Sequence, residues 1–345
     1  MIRSLIVTSL LTAGVAARAA DVAYAPPVGG MTLSVPAGQT RSFALPLVHD
    51  SVVSGARFGR ITAVGSNYIE DSLAGWTPAA LSTASNPHYV RIRSGSAKGR
   101  ILMVSSTANT ASRIYLNTDS VDLATSGIAQ GDAFEVVLAD TLSTFFGSGP
   151  LSGGADATTA DNVQIWAGTS WVTYYYNTPN AKWQRSTDTP DSPARDNIVL
   201  RPDRGFMITR RGGGDLSIRF VGKVPDAGSR VVHSRPGVSF LSLGFPRDIT
   251  LGELAFSTRV SGWRTAADSI SATGADKIQV WNNTAWTIYY LSDSGSWQRI
   301  TDNGASPSRN SVVIPAGRPV MVSRVDSGSG VATFADIPLN YTIAN

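Results

Sequence analysis

One passage occurs twice in this 345-residue chain. Residues 161–185 read DNVQIWAGTSWVTYYYNTPNAKWQR, and residues 276–299 read DKIQVWNNTAWTIYYLSDSGSWQR. Trp166, Trp171 and Tyr174 recur 115 positions later as Trp281, Trp286 and Tyr289. Trp183, Gln184 and Arg185 recur 114 positions later as Trp297, Gln298 and Arg299. The residue lost between Tyr176 and Trp183 marks a turn, where a deletion costs little. Such a duplication constrains the architecture more than composition does, because both copies must bury one apolar pattern.

Each copy reads as a meander. Val163–Trp166 alternates as a strand does, Ala167–Ser170 is a polar turn, and Trp171–Tyr176 alternates again. Trp171, Thr173 and Tyr175 fall on one face, and Val172, Tyr174 and Tyr176 on the other. Downstream, Asn197–Leu200 matches Ser311–Ile314, and Arg204–Arg210 matches Arg318–Arg324. Upstream, Ser239–Pro246 and Thr250-Leu251 have counterparts in Ser42–Val48 and Thr141-Leu142, which lie far apart. An insertion accounts for that gap, and insertions succeed where chain ends meet at a surface. It predicts that the segment near Arg57–Thr62 lies beside Phe134–Leu138.

The fold class expected is therefore all-β, with two tandem homologous antiparallel β-modules, sandwich or barrel-like. The first is interrupted by a small inserted β-barrel of six short strands punctuated by glycine. The divisions are 1–19 signal peptide, 20–36 extended segment, 37–49 plus 140–227 first module, 50–139 insert, and 228–345 second module.

The start MIRSLIVTSLLTAGVAARAAD has a basic residue, a short apolar run and an Ala-x-Ala site at Ala17–Ala19. That is the pattern of a secretory signal, so the protein is expected to be exported, to the periplasm, cell surface or medium. No later stretch reads as a transmembrane segment. Cysteine is absent, and a chain of this length can bury a sufficient core without disulfides. The net charge is +4, with arginines interspersed among aspartates rather than clustered, so nucleic acid is not an expected partner.

Catalytic sets are not evident. His49, His88 and His233 have no partner at metal-ligand spacing, and no nucleophile elbow is present. Gly212–Gly214 precedes a strand and reads as a hairpin turn. Asp188, Asp191, Asp293 and Asp302 fall in loops, where aspartate usually binds its own backbone. Asp119 and Asp122 lack a calcium-loop pattern. No cofactor or metal is expected.

The duplicated aromatics are the better candidates: Trp166, Trp171, Tyr174, Trp183 and Arg185, with Trp281, Trp286, Tyr289, Trp297 and Arg299. Surface rings of this kind stack on sugars or anchor protein partners. Equally, they fill a core, and an arginine stacked on a tryptophan would explain the Trp-Gln-Arg pairing.

The run Ser239–Pro246, then Thr250–Leu254, then Gln279–Tyr290 resembles a β-module of secreted bacterial proteins with a "NLISLP…VWNG..W..Y…PG.GYWV" signature. With Val28–Gly38, Ser94–Arg100, Ala108–Thr110 and Gly131–Val136, the order of the chain is similar to an uncharacterised family of exported β-rich repeat proteins seen mainly in Verrucomicrobia-type bacteria. The resemblance implies architecture and no chemistry. The chain departs from the module signature at Asp203–Phe206 and Gly317–Val320. The expected role is non-catalytic: structural, self-assembling or adhesive at the cell surface, with Ala20–Pro36 adding as a strand to a neighbour's sheet edge. The alternative is carbohydrate binding through the duplicated rings; a hydrolase is the third reading.

Overall fold

The structure, a computed structural model, describes residues 28–47, 57–118, 122–224, 228–234, 237–244, 246–256, 260, 262–303, 306–325 and 333–339, with backbone alone at 57, 228–234 and 333–339. The expected signal segment 1–19, residues 20–27, His49 and Asp119 lie outside the described residues. The fold is all-β, with two short α-helices among the described elements.

Two five-stranded antiparallel sheets share one strand order. The first runs Lys182–Arg185, Trp171–Asn177, Asn162–Trp166, Gly205–Thr209, Thr40–Ala44. The second runs Trp297–Arg299, Trp286–Leu291, Lys277–Trp281, Val320–Arg324, Gly237–Leu241. The period-2 alternation decides which residues enter each core. In the first sheet Val163, Tyr174, Phe206 and Ile208 face inward, covered by Leu33, Val35, Leu216 and Ile218 from the ladder of Val28–Val35 with Leu216–Lys223. A second ladder pairs Gly228–Ser234 with Thr333–Leu339. Val28–Val35, the part of the Ala20–Pro36 segment that forms a described strand, is paired along its whole length within its own chain.

The helices Leu142–Phe146 and Leu251–Leu254 start alike. Thr141 and Thr250 each accept from the third residue on, and Thr144 and Glu253 reach back to complete the box. Thr141 bridges Val199, and Thr250 pairs with Val313.

Register shows where the sequence match misleads. Ser42-Phe43 and Ser239-Phe240 align by identity, yet Met207 faces Ser42 while its counterpart Met321 faces Phe240. Phe240 therefore stands in the place of Ser42, and Leu241 in that of Phe43. A one-residue slip moves a side chain to the opposite face. Phe43 enters the first core, whereas Phe240 leaves the second and meets the other sheet.

Between Leu47 and Asp140 lies a seven-stranded sheet: Arg57–Arg60, Ala133–Leu138, His88–Ile92, Ile101–Val104, Arg113–Asn117, Tyr68–Glu70, Ala63–Val64. Its core is Ile61, Ile69, Val90, Ile92, Ile114 and Phe134, among others. The expected neighbourhood of Arg57–Thr62 and Phe134–Leu138 is observed, with Arg57 opposite Val136. The expected barrel is not closed. The two edge strands are pieces of one bent run, in which Ile61 donates to Asp132 O (2.9 Å) and Thr62 to Glu70 O (2.7 Å).

Candidate functional site

The ten sequence candidates separate into three groups. Trp183, Trp297, Tyr174 and Tyr289 are core residues, the two tryptophans 1% and 2% exposed. Trp183 packs on Phe146 at 5.7 Å and Tyr176 at 6.0 Å, and Trp297 packs on Trp263 at 6.0 Å. None of these four can offer a ring to a ligand.

Arg185 and Arg299 sit on edge strands opposite Tyr174 and Tyr289. Among the described residues no ring stack holds either guanidinium. Their backbone amides donate to Asp188 Oδ2 (2.9 Å) and Asp302 Oδ2 (2.7 Å). Arg195 grips Asp188 through Nε (2.8 Å) and Nη2 (2.9 Å); Arg309 grips Asp302 likewise, both at 2.8 Å. Hydrogen bonds from Arg195 hold the Asp188 carboxyl at about 2 against the opposing cost of burial. The Arg309 hydrogen bonds lower Asp302 in the same way. These carboxylates are structural pins. Asp161 with Arg210, and Asp276 with Arg324, form a second, more deeply buried pair in each sheet.

The pins also close the outer edges. Trp183 donates to Asp196 Oδ1 and accepts from Arg195 N; Trp297 donates to Asn310 Oδ1 and accepts from Arg309 N. An edge strand whose polar groups are taken by its own loop is a poor template for another chain.

Trp166, Trp171, Trp281 and Trp286 are half-buried and meet in a seam between the two sheets, around Met207, Phe240 and Met321. The seam has an approximate twofold character. Trp166 Nε1 donates to Val238 O (2.9 Å), and Trp281 Nε1 donates to Thr40 O (3.1 Å). Ser242 N donates to Asp203 O (3.1 Å), and Ala44 N donates to Gly317 O (2.8 Å). Each sheet thus caps the open edge of the other's first strand. Phe240 breaks the symmetry: its ring contacts Trp171 at 5.2 Å and Trp286 at 5.8 Å, whereas Ser42 offers nothing comparable.

On one side the seam opens into a cleft of about 590 Å³. Trp166 is the half-buried ring on its wall, with Phe206 and Phe240 enclosed behind the surface at 2% and 1% exposed; Thr169 and Ser239 bring hydroxyls, and Arg201 and Arg204 charge. Arg201 binds Asp203 through two bonds (2.9 and 2.8 Å), and Arg204 Nε lies 3.7 Å from the same carboxylate. Burial pushes Asp203 up, but the Arg201 charge and hydrogen bonds, joined by the Arg204 charge, hold it at about 2. The cluster keeps one net positive charge.

Of the sequence candidates only Trp166 lines this cleft; Arg201, Arg204, Phe206 and Ser239 were not among them. The departure of Asp203–Phe206 from the module signature argued against a ligand role at this corner, so these residues were passed over in the sequence. His88 is bound locally, with Nδ1 2.8 Å from Asn86 O. Asp122 caps a short turn through Ala124 N, and Asp293 accepts from Thr265 Oγ1. No helix of the described residues is long and apolar enough to cross a membrane, and the described residues hold no cluster of three metal-ligating side chains. The chain matches no family model, no curated protein and no solved structure.

Proposed function

We propose that this chain is an exported, non-catalytic binding protein whose ligand, a saccharide segment, lies in the seam cleft. One observation carries the reading: a cleft of about 590 Å³ at the junction of two sheets, with the half-buried Trp166 ring on its wall and the guanidiniums of Arg201 and Arg204 along it, Arg201 fixed by Asp203 behind the lining. Ligand sites favour such junctions, with largely apolar walls and a few convergent polar groups. A tryptophan ring takes the apolar face of a sugar, and planar guanidinium groups take its hydroxyls. A glycoside hydrolase needs two working carboxyl groups. Of the earlier candidates Asp188, Asp191, Asp293 and Asp302, Asp188 and Asp302 are held by Arg195 and Arg309, and Asp293 accepts from Thr265 Oγ1. Self-assembly by edge pairing draws no support from the two five-stranded sheets, whose outer edges their own chain covers.

The test is retention on an array of neutral and uronic-acid oligosaccharides, comparing the full chain with Thr169→Trp and Arg204→Gln. Thr169 is exposed at the cleft rim, so the bulky variant folds and blocks entry. The expected result is selective retention lost in both variants. Retention unchanged by Thr169→Trp sinks the cleft as the site. Light scattering of the same samples reads any self-association separately.

A further inference from the structure

The second side of the seam is not a copy of the first. Residues 114 positions after the cleft group give Pro315 for Arg201, Gly317 for Asp203 and Arg318 for Arg204. The strand register puts Arg41 where Ser239 stands. The first side therefore has two arginines sharing one aspartate. The second has two arginines and no acid at the position of Asp203; the neighbouring Asp248 accepts from Ala316 N (2.8 Å).

Their positions are set by the fold. Arg318 Nη1 donates to Ser42 O (2.8 Å), and its guanidinium lies 5.3 Å from the Phe43 ring centre. Arg41 Nη1 reaches Asn283 O and Thr40 O, both at 3.3 Å. Among the described residues neither guanidinium has a carboxylate partner at ion-pair distance. Burial lowers the Arg318 pKa, and the Arg41 charge lowers it further, so the two guanidiniums feel one another. The missing acid cannot be supplied at position 317. A side chain there would meet Met31 Cε at 2.3 Å, and the backbone sits at φ +69°.

Two partly desolvated like charges are unfavourable unless something neutralises them. Arginine keeps its charge at any ordinary pH, so neutralisation must come from an anion rather than from loss of a proton. We propose that Arg41 and Arg318 form a binding site for a compact oxyanion, such as the carboxylate or sulfate group of an acidic ligand. That group supplies from outside the negative charge that Asp203 supplies on the other side. The site stands on its own whether or not the cleft takes a saccharide.

Sulfate alone is the first probe, titrated calorimetrically into the full chain against chloride at matched ionic strength. Sulfate binding should weaken about tenfold or more in Arg41→Gln and in Arg318→Gln, the loss of a charge-assisted contact. It should persist in Arg219→Gln, an arginine outside the seam. Arg41→Glu separates this role from a merely structural one. It gives Arg318 an internal partner, so it should abolish sulfate binding while raising thermal stability at low salt. Equal sulfate binding in the wild type and Arg41→Gln overturns the proposal, as does a stability loss in a folded Arg41→Glu. Competition by dextran sulfate, with plain dextran inert, assigns the group to a polymer; competition by free sulfate alone assigns it to a small anion. Both results require the Arg41 dependence for the site to stand.

Discussion

Gly205 and Pro319 pack against each other across the seam, and each is the other's counterpart in the duplicated pattern. A Cβ on Gly205 would lie 2.4 Å from Pro319 Cβ and 2.8 Å from Phe240 Cε1. Neither neighbour can yield, because one is a ring at the backbone and the other is 1% exposed. Gly205→Ala should therefore cost about 1–3 kcal/mol, the usual cost of overpacking, in a denaturant titration. Adding Pro319→Gly to that variant should restore part of the loss. No recovery would place the strain elsewhere.

The two indole hydrogen bonds of the seam should be separable. Trp166→Phe leaves Val238 O without its donor, and Trp281→Phe does the same to Thr40 O. Each should cost roughly 1 kcal/mol or slightly more. Denaturant midpoints of the two single variants and the double variant check this.

Breaking a pin should be far more damaging than trimming the seam. Asp276 is fully buried, its Oδ2 2.8 Å from Arg324 Nε, and its Oδ1 also accepts from Val325 N at 2.7 Å. Asp276→Asn leaves the buried Arg324 charge without its carboxylate, at a cost of about 3–5 kcal/mol. A thermal melt reads the loss, and Asp161→Asn should behave in the same direction.

Acid should loosen the protein in a defined window. Asp188 and Asp203 have folded-state pKa values of about 2 against an ordinary 3.8. Their ionised forms stabilise the fold, so the benefit is whole above the unfolded-state value and fades as pH falls through the folded-state one. Stability should be flat at neutral pH and drop between about pH 4 and pH 2, with Asp203 alone contributing about 2 kcal/mol. Arg201→Gln should blunt the drop, because it removes the main cause of the Asp203 shift.

Much of the fold was legible because alternation is a local property. Tyr68–Glu70 and Ala133–Leu138 have the strand limits their residues announce. The faces of Trp171–Tyr176 also follow from alternation, with Val172, Tyr174 and Tyr176 on the core side and Trp171 in the seam. What alternation does not carry is which face meets what. Trp183 and Trp166 look alike in sequence, yet one is enclosed within a sheet's own core and the other joins two sheets. Phe43 and Phe240 look equivalent and are not, since identity cannot detect a register slip. The seam depends on contacts between strands far apart in the chain, and no local pattern encodes them.

The pairing of Arg57–Arg60 with Ala133–Leu138 bears on how the chain assembles during synthesis. The strand Thr40–Ala44 must wait for Gly205–Thr209 before it has a partner. The seven-stranded sheet made in the interval depends on neither of them. Once it has formed, its joined ends hold Leu47 and Asp140 near one another, and the span Thr40–Ala44 must close shrinks to the segments outside that sheet. An apparently interrupted chain thus has a shorter kinetic path than its numbering suggests, because loop closure slows with the length of free chain.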